Sequence, residues 1–181
     1  MVGMNHVEDL PNLTELCPPP SNPVPSLSGR TERVSRTIPA DHYDLTRVYG
    51  TGCFDEFLWI FAAGADNPNL DIDTSTDAMQ SILRGKDVPT LREILTRHRT
   101  VPEELIQWGV TDNGDSLLWI PVGDPGAWST VIIQAGQLDF VISPRSSTGV
   151  VLDLLTGALR VRFFPEDFPS GHPEFSTNPY V

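Results

Sequence analysis

Apolar residues recur at the i, i+3, i+4 spacing of an amphipathic helix in four parts of the chain. These segments carry start or stop signals, such as Pro39 at a first turn, Gly50 and Gly85 at helix ends, and the capping box of Thr90 and Glu93. The pattern therefore predicts four helices, which contain Leu45, Val48 and Tyr49; Met79, Ile82 and Leu83; Leu91, Ile94, Leu95 and His98; and, after a cap at Ser146 or Ser147, Val150, Val151, Leu154 and Leu155.

Shorter apolar runs bounded by turn residues predict strands. The run Cys53–Phe61 is apolar and aromatic except for Asp55 and Glu56, and it predicts one mostly buried strand. Two pairs of runs follow, 106–110 and 116–122 around Asp112-Asn113-Gly114, and 131–134 and 138–142 around Gly136. Asn-Gly between apolar runs is the strongest short-range hairpin signal. Helices flanking a run of hairpins predict an α+β fold, with helices packed around an antiparallel-rich mixed sheet.

The two ends of the chain differ from this pattern. Residues 1–37 contain Pro18-Pro19-Pro20, Pro23 and Pro25 among polar residues, with too little apolar surface to offset the entropy of ordering. We therefore predict a flexible proline-rich tail over 1–37, including Cys17, and a single domain over 38–181. The segment from Phe163 is rich in Pro and Phe, and we expect it to contact the body without regular structure.

Negative charge dominates the chain, with a formal net charge of −12. Two long stretches, 48–83 and 100–144, contain acidic residues but no Lys or Arg. This distribution argues against binding to nucleic acid or to anionic membranes, because no excess of cations can replace the counterions of phosphate. It favours a basic protein partner, attracted through long-range electrostatics. The alternative is a solvated acidic surface without a partner.

Targeting signals and disulfide patterns are absent from the sequence. The first ten residues show no basic segment followed by an apolar one, and the longest apolar run, 57–63, is too short to cross a bilayer. Cys17 and Cys53 do not form a disulfide framework. We therefore expect a cytoplasmic protein.

Candidate catalytic and metal-binding motifs are incomplete. Asp71, Asp73, Ser75 and Asp77 follow the spacing of a calcium loop, but the loop also needs Gly and Glu at positions that Thr76 and Ile82 occupy. These acids are better explained by the dipole of the following helix. Gly50-Thr51-Gly52 follows a helix instead of a strand, so it predicts a helix stop, not a nucleotide site. The histidines lack metal-ligand spacing, and His98 is expected to be partly buried. We expect no cofactor and no metal.

The four tryptophans are the largest apolar groups. Core packing is the simpler explanation for Trp59, Trp108 and Trp119. Trp128 follows Asp124-Pro125-Gly126 and is the one expected to stay partly exposed.

The order of several segments resembles the SUKH superfamily, in the branch related to a fungal regulator of cell-wall assembly and killer-toxin resistance. The matching segments are IPADHYDLTRVYGTGCFDEFLWIF, NPNLD, WGVTDNGDSLLW, GDPGAW and FFPEDFP, between Ile38 and Pro169. The resemblance implies an α+β fold, no catalytic activity and a frequent role as an immunity protein against a polymorphic toxin. The family's recurrent positions, which mostly determine the fold, fall here on Tyr49, Gly50, Phe54, Leu58, Trp59, Trp108, Gly109, Asp112, Gly114, Asp115 and Trp119. Members commonly begin with an additional helix, whereas this chain begins with the proline-rich stretch.

The sequence thus favours a binding protein that covers a basic toxin domain, such as a nuclease, with its acidic surface. The residues expected at the rim of that interface are Asp112, Asp115, Asp124 and Trp128. A regulatory or scaffold module of the same fold is the alternative, and its tail would carry binding motifs. A metal-assisted phosphatase using Asp71 and Asp73 is a third hypothesis. The oligomeric state stays open.

Overall fold

Seven short strands form the centre of the protein in the computed structural model, which describes residues 6–23, 35–86, 89–136 and 139–177. The strands are β1 (Gly52–Phe54), β2 (Leu58–Ile60), β3 (Ile106–Thr111), β4 (Ser116–Ile120), β5 (Ser129–Ile133), β6 (Phe140–Ser143) and β7 (Phe175–Ser176). They join in one sheet in the order β6-β5-β4-β3-β2-β1-β7, and every neighbouring pair is antiparallel. The predicted α+β class is confirmed, and no parallel pair occurs among these strands.

Five helices cover the two faces of this sheet: α1 (Asp9–Leu16), α2 (Ala40–Tyr49), α3 (Ile72–Gly85), α4 (Pro89–Arg97) and α5 (Ser147–Thr156). Alternate residues of a strand point to opposite faces, so β4 supplies two separate apolar clusters. Leu117 and Trp119 pack with α1, α2 and α5 on the first face. Leu118 and Ile120 pack with α3 and α4 on the second face.

The four predicted helices are all present as α2 to α5, and their ends show which local signals acted. Ser146 caps α5 by accepting a hydrogen bond from the Gly149 N–H at 3.3 Å, as predicted. Helix α3 begins earlier than predicted, because the Asp71 side chain caps its first turn. Asp71 accepts a hydrogen bond from the Thr74 N–H at 2.9 Å. Thr90 lies inside α4 and not before it. His98 follows that helix and is exposed, so its predicted burial is wrong.

The predicted strand Cys53–Phe61 is instead a hairpin. The Phe57 N–H donates to the Phe54 carbonyl at 3.0 Å, and the two residues between them have positive φ, 56° at Asp55 and 54° at Glu56. Positive φ at both central positions is the backbone of a turn that matches the twist of paired strands. The turn was missed because such turns favour Asn and Gly, which are absent here.

Helix α1 corrects the prediction that residues 1–37 form a flexible tail. Leu13 and Cys17 have 0% of their surface exposed and belong to the first-face cluster. The Tyr49 hydroxyl donates to the Cys17 carbonyl at 2.6 Å, and Arg145 pairs with Asp9 at 3.0 Å. This part of the tail therefore belongs to the domain. Residues 1–5 and 24–34, which the same prediction included, lie outside the described residues.

The C-terminal segment is irregular as predicted, except that β7 adds a short strand to the sheet beside β1. Gly52 allows this pairing, because a Cβ atom there would lie 2.5 Å from the Ser176 carbonyl oxygen. Over the described ranges, helices of the length and apolar character needed to cross a bilayer are absent.

Candidate functional site

Three hairpin turns lie side by side at the same end of the strands, and we name the surface that they form the hairpin edge. It consists of residues 55–57 between β1 and β2, residues 112–115 between β3 and β4, and residues 134–136 with Asp139 between β5 and β6. Hydrogen bonds tie neighbouring turns together. The Asp112 N–H donates to the Phe57 carbonyl at 2.8 Å, and the Ala135 N–H donates to Asp115 Oδ1 at 2.9 Å. The three turns are therefore connected by hydrogen bonds, one of them to the Asp115 side chain.

Asp112 lies at the centre of the hairpin edge with an exposed side chain. Its turn closes as the sequence predicted, with the Gly114 N–H donating to the Thr111 carbonyl at 2.9 Å. Gly114 has a φ of 87°, a conformation that glycine adopts without steric cost. The hairpin signal thus places one predicted contact residue, Asp112, on an accessible tip.

Asp115 belongs to the same turn, but it is 2% exposed, so its predicted place at an interface rim is wrong. Its Oδ2 accepts from the Thr111 hydroxyl at 2.8 Å, and its Oδ1 accepts from the Ala135 N–H. A carboxylate that accepts hydrogen bonds from two turns joins those turns and is withdrawn from solvent. Asp115 is a structural link beneath the hairpin edge.

Asp124 and Trp128 lie at the opposite end of β4 from the hairpin edge, since they follow Ile120 while Asp112 precedes Ser116. Asp124 is exposed, and its Oδ1 accepts from the Gly126 N–H at 2.8 Å. Trp128 is 7% exposed and corrects the expectation of partial exposure. Its ring packs against Trp119, and its indole N–H donates to the Gly123 carbonyl at 3.2 Å. The four predicted contact residues therefore do not form one surface.

Acidic residues that the sequence analysis did not select complete the hairpin edge. Asp55 and Glu56 occupy the β1–β2 turn, and Glu56 is exposed. A cavity of about 500 Å³ opens beside this turn. Its lining includes three phenylalanines and four carboxylates, namely Phe57, Phe168, Phe175, Asp55, Glu56, Asp167 and Glu174. The only sequence signal for this turn was the pair of acids inside an apolar run, and the contact with the C-terminal segment had none.

Within the described part of the chain, two cations approach the hairpin edge from other elements. Arg162 pairs with Asp139 through two hydrogen bonds and thereby lowers the pKa of that carboxyl below its usual value. Lys86 Nζ lies 3.4 Å from the Gly136 carbonyl oxygen. Both lie at the β5–β6 turn. Glu56 and Asp112, which are both exposed, lie in the other two turns of the edge.

A second concavity lies over Trp59 on the second face of the sheet, and we name it the Trp59 groove. It has a volume of about 360 Å³. Trp59 and its cross-strand neighbour Val110 are half-buried there. The other described residues that line it are Asn67, Asn69, Leu70, Thr111, Asp112 and Gly114. The groove thus combines an aromatic floor with the carboxylate of the hairpin tip.

The other residues selected by resemblance are structural in position. Tyr49, Phe54, Leu58, Trp108 and Trp119 have 0% of their surface exposed. Gly50 ends α2 with a φ of 74°. Gly109 lies against β2, where a Cβ atom would be 2.8 Å from the Trp59 carbonyl oxygen. These positions support the sheet and its first-face core.

His42 lies buried between two of these tryptophans, with ring centroids 5.8 Å from Trp108 and 4.8 Å from Trp119. Its ring nitrogens are 2.9 Å from Ser147 Oγ and 2.8 Å from the Phe61 carbonyl oxygen. Burial lowers the pKa of His42 to about 4, because the charged form loses its hydration. The histidine is therefore neutral near pH 7 and connects α2, the sheet and α5.

The carboxylates of the phosphatase hypothesis have structural partners. Asp71 accepts from the Gly64 N–H at 3.0 Å and caps α3 through its other oxygen. Asp73 pairs with Arg36 at 2.8 Å, and Arg36 also pairs with Asp77. Among the residues that the structure describes, no three His, Cys, Asp or Glu side chains come together as metal ligands.

Neither cysteine has the surroundings of a nucleophile. Both are buried, and burial raises the pKa of Cys17 to about 11 and that of Cys53 to about 12. The reactive form of cysteine is the thiolate, which burial disfavours. Both side chains fill space in the core.

No family model matches the chain, and neither a curated protein nor a solved structure matches it.

Proposed function

We propose that this protein binds a basic protein partner through its hairpin edge, and that it acts in the cytoplasm as an immunity protein that neutralises a polymorphic toxin. The observation that carries the proposal is the convergence of acidic side chains from separate turns, with Glu56 and Asp112 exposed. The net charge of −12 supports it, because opposite charge accelerates the encounter with a basic surface.

The rigidity of the hairpin edge supports the same function. Neighbouring turns share the hydrogen bonds from Asp112 to Phe57 and from Ala135 to Asp115, so their geometry is set before a partner arrives. A preorganised surface loses less conformational entropy on binding. If the toxin is a nuclease, these carboxylates compete for the Arg and Lys side chains that would otherwise hold phosphate.

Co-expression tests this proposal directly. The protein is produced together with the C-terminal domain of a secreted toxin encoded beside it, and growth is measured. We expect the wild type to restore growth and the double variant Glu56→Lys, Asp112→Lys to fail. The matched control is Glu15→Lys, Glu93→Lys, which makes the same change in net charge at exposed helix positions outside the hairpin edge. The proposal is contradicted if both double variants fail equally. It is also contradicted if neither the wild type nor the control variant restores growth.

The rate of association provides an independent measurement. Electrostatic attraction is screened beyond about 10 Å at 0.1 M salt, so the association rate with the toxin domain should fall steeply as salt rises. The dissociation rate should change less. An association rate that does not respond to salt would rule out the acidic surface as the source of attraction.

Deletion of residues 1–37 is the direct test of a scaffold role for the N-terminal residues. Helix α1 makes that deletion uninformative, because it removes Leu13 and Cys17 from the core. Loss of function after the deletion would follow from unfolding under either hypothesis. The growth assay with surface variants separates the two roles, since it leaves the core intact.

A further inference from the structure

Strand β6 forms one edge of the sheet, since it pairs with β5 on one side and no strand of the described residues lies on the other. The Gln134 N–H donates to the Asp139 carbonyl at 2.9 Å, which fixes the phase of the pairing between β5 and β6. Backbone groups alternate between the two sides of an antiparallel strand. Those of Val141 are therefore directed at β5, and those of Phe140 and Ile142 are directed outward.

The outward backbone groups of β6 have few partners in the described part of the chain. The Phe140 N–H donates to Asp139 Oδ1 at 2.8 Å. No hydrogen bond from another described residue reaches the outward N–H and C=O of Ile142. Proteins often protect edge strands with lysine or proline, and the β6 sequence Phe-Val-Ile-Ser contains neither. An unprotected edge is a template for pairing with another strand.

The side chains of β6 are apolar up to Ser143 and only half-buried. Phe140 and Ile142 pack against the cluster on the second face, and Val141 packs against the cluster on the first face. Both clusters therefore end at this edge with part of their apolar surface exposed. A strand added here would bury apolar surface on both faces while it satisfies the backbone groups.

We infer that β6 pairs with β6 of a second copy of this chain, antiparallel and about a two-fold axis at Val141, so that the two sheets join into one. This axis sets Phe140 opposite Ile142 of the second copy. Each outward residue then meets an outward residue, as a self-complementary two-fold interface requires. Opposite residues share a face, so both apolar clusters continue into the second copy. The inference does not depend on the proposed function.

Charge at the two ends of β6 supports a second copy as the occupant. The β5–β6 turn and the start of β6 are contacted by two cations and include one carboxylate, namely Lys86, Arg162 and Asp139. Just beyond the end of β6, one cation pairs with two carboxylates, namely Arg145, Asp9 and Asp153. Antiparallel pairing brings the start of one β6 beside the end of the other. These contacts are therefore complementary in charge, although each chain is acidic overall.

Sedimentation equilibrium of the full chain measures the association. It is run in about 0.3 M salt, which screens the repulsion between two chains of net charge −12. We expect the mass to rise from the monomer value towards the dimer value between about 0.01 and about 1 mM protein, because an interface of one short strand is small and binds weakly. A mass that stays at the monomer value over this range overturns the inference.

Two substitutions of Ile142 locate the contact. Ile142→Pro removes an outward N–H and no hydrogen bond to β5, and the loss of two hydrogen bonds per dimer should weaken dimerisation about tenfold. Ile142→Lys places a charge at the edge and should weaken it by a similar factor. The control Ile82→Lys makes the same change at a 43% exposed position of α3 and should leave dimerisation within about twofold. Equal effects of the two lysine variants overturn the inference.

Cross-linking tests the register, and it keeps the inference falsifiable if the Ile142 variants do not fold. The proposed pairing sets the two Val141 Cα atoms about 4.5 Å apart, within the range of a disulfide. The two Ile142 Cα atoms are diagonal neighbours about 7–8 Å apart, which is too far. Val141→Cys should therefore form a disulfide-linked dimer under mild oxidation, and Ile142→Cys should not, while the native cysteines stay buried. Failure of Val141→Cys to cross-link, or equal cross-linking of both variants, overturns the inference.

Discussion

Four aspartates show how one side-chain type takes different roles according to position. Asp112 is exposed at a hairpin tip, while Asp115, three residues later, is 2% exposed and accepts hydrogen bonds from two turns. Asp71 caps α3, and Asp9 is buried against Arg145. A carboxylate removed from water needs such partners, because its desolvation is otherwise too costly. The change in the free energy of unfolding when an aspartate is replaced therefore depends on its hydrogen-bond and ion-pair partners, and not on its charge alone.

Substitution of Asp115 by alanine should destabilise the fold by about 1–3 kcal/mol, because the Ala135 N–H and the Thr111 hydroxyl lose their acceptor. Asp112→Ala should change stability by less than about 1 kcal/mol, as expected for an exposed position. Urea unfolding of the two variants checks this difference. Similar losses in both would mean that Asp115 does not join the turns.

His42 should make stability depend on pH above the range where carboxylates titrate. Its pKa is about 4 in the folded protein against 6.5 in an unfolded chain. Below pH 6.5 the unfolded chain therefore binds a proton that the folded protein does not, and stability falls as pH is lowered towards 4. The expected loss between pH about 7.5 and about 5 is roughly 2 kcal/mol. Urea unfolding at both pH values measures it, and His42→Gln should remove the dependence.

At the scale of elements, the first helix and the last strand attach to elements that are distant in the chain. Helix α1 packs on α5 through Leu13, and its Asp9 pairs with Arg145, which precedes α5 and also pairs with Asp153 of that helix. Strand β7 adds to β1 beside Gly52. Neither attachment has a local signature in the sequence. The attachment of α1 depends on its ion pair with Arg145, and that of β7 depends on the missing side chain at Gly52.

Arg145→Ala should cost about 3–5 kcal/mol, because it leaves the carboxylate of Asp9, 7% exposed, without its guanidinium. Arg47→Ala provides the control. It removes an arginine that is 77% exposed in its pair with Asp44, and the expected cost is below about 1 kcal/mol. Chemical denaturation compares the two, and hydrogen exchange should show early loss of protection in α1. Equal costs would contradict the anchoring role of Arg145.

Gly52→Ala should displace β7 and destabilise the protein by about 1–3 kcal/mol, because its Cβ would lie 2.5 Å from the Ser176 carbonyl oxygen. Gly85→Ala is the matched substitution, since no atom of the described residues lies within 4 Å of a Cβ there and the residue is helical. That variant should gain about 0.5–1 kcal/mol. Thermal unfolding gives the sign of each effect, and a gain in both would exclude close packing of β7 at Gly52.

At the scale of the whole molecule, the net charge of −12 acts on both stability and association. Excess charge of one sign destabilises a compact state by self-repulsion. The buried pair of Arg145 and Asp9 is screened little by salt, whereas the repulsion among surface acids is screened strongly. The protein therefore carries an unfavourable surface field, which would attract the basic partner that we propose.

Addition of salt should raise the melting temperature near pH 7 by a few degrees between about 0.02 and 0.3 M, because screening weakens the self-repulsion. Near the isoelectric pH of about 4.5 the same addition should have little effect. Calorimetry at both pH values provides the comparison. A melting temperature that falls with salt near pH 7 would mean that attractive surface pairs outweigh the repulsion.

Local pattern was enough to predict the fold class, helices α2 to α5 and the hairpin at Asp112, because helix periodicity, caps and an Asn-Gly turn act between residues close in the chain. The hairpin tip was also enough to place Asp112 at an accessible position. The same patterns could not separate Asp112 from Asp115, since their difference comes from the Ala135 N–H in another turn.

Tertiary contacts decided the rest. The pair of Asp9 and Arg145 joins residues 136 positions apart, and it brings into the core a segment whose composition predicted a tail. Trp128 is buried because Trp119 lies beneath it, and the hairpin edge exists because three turns end at the same side of one sheet. The spacing of residues in the sequence predicts which face of its helix or strand a side chain occupies. Whether that face is buried depends on neighbouring elements, whose positions are set by the whole fold.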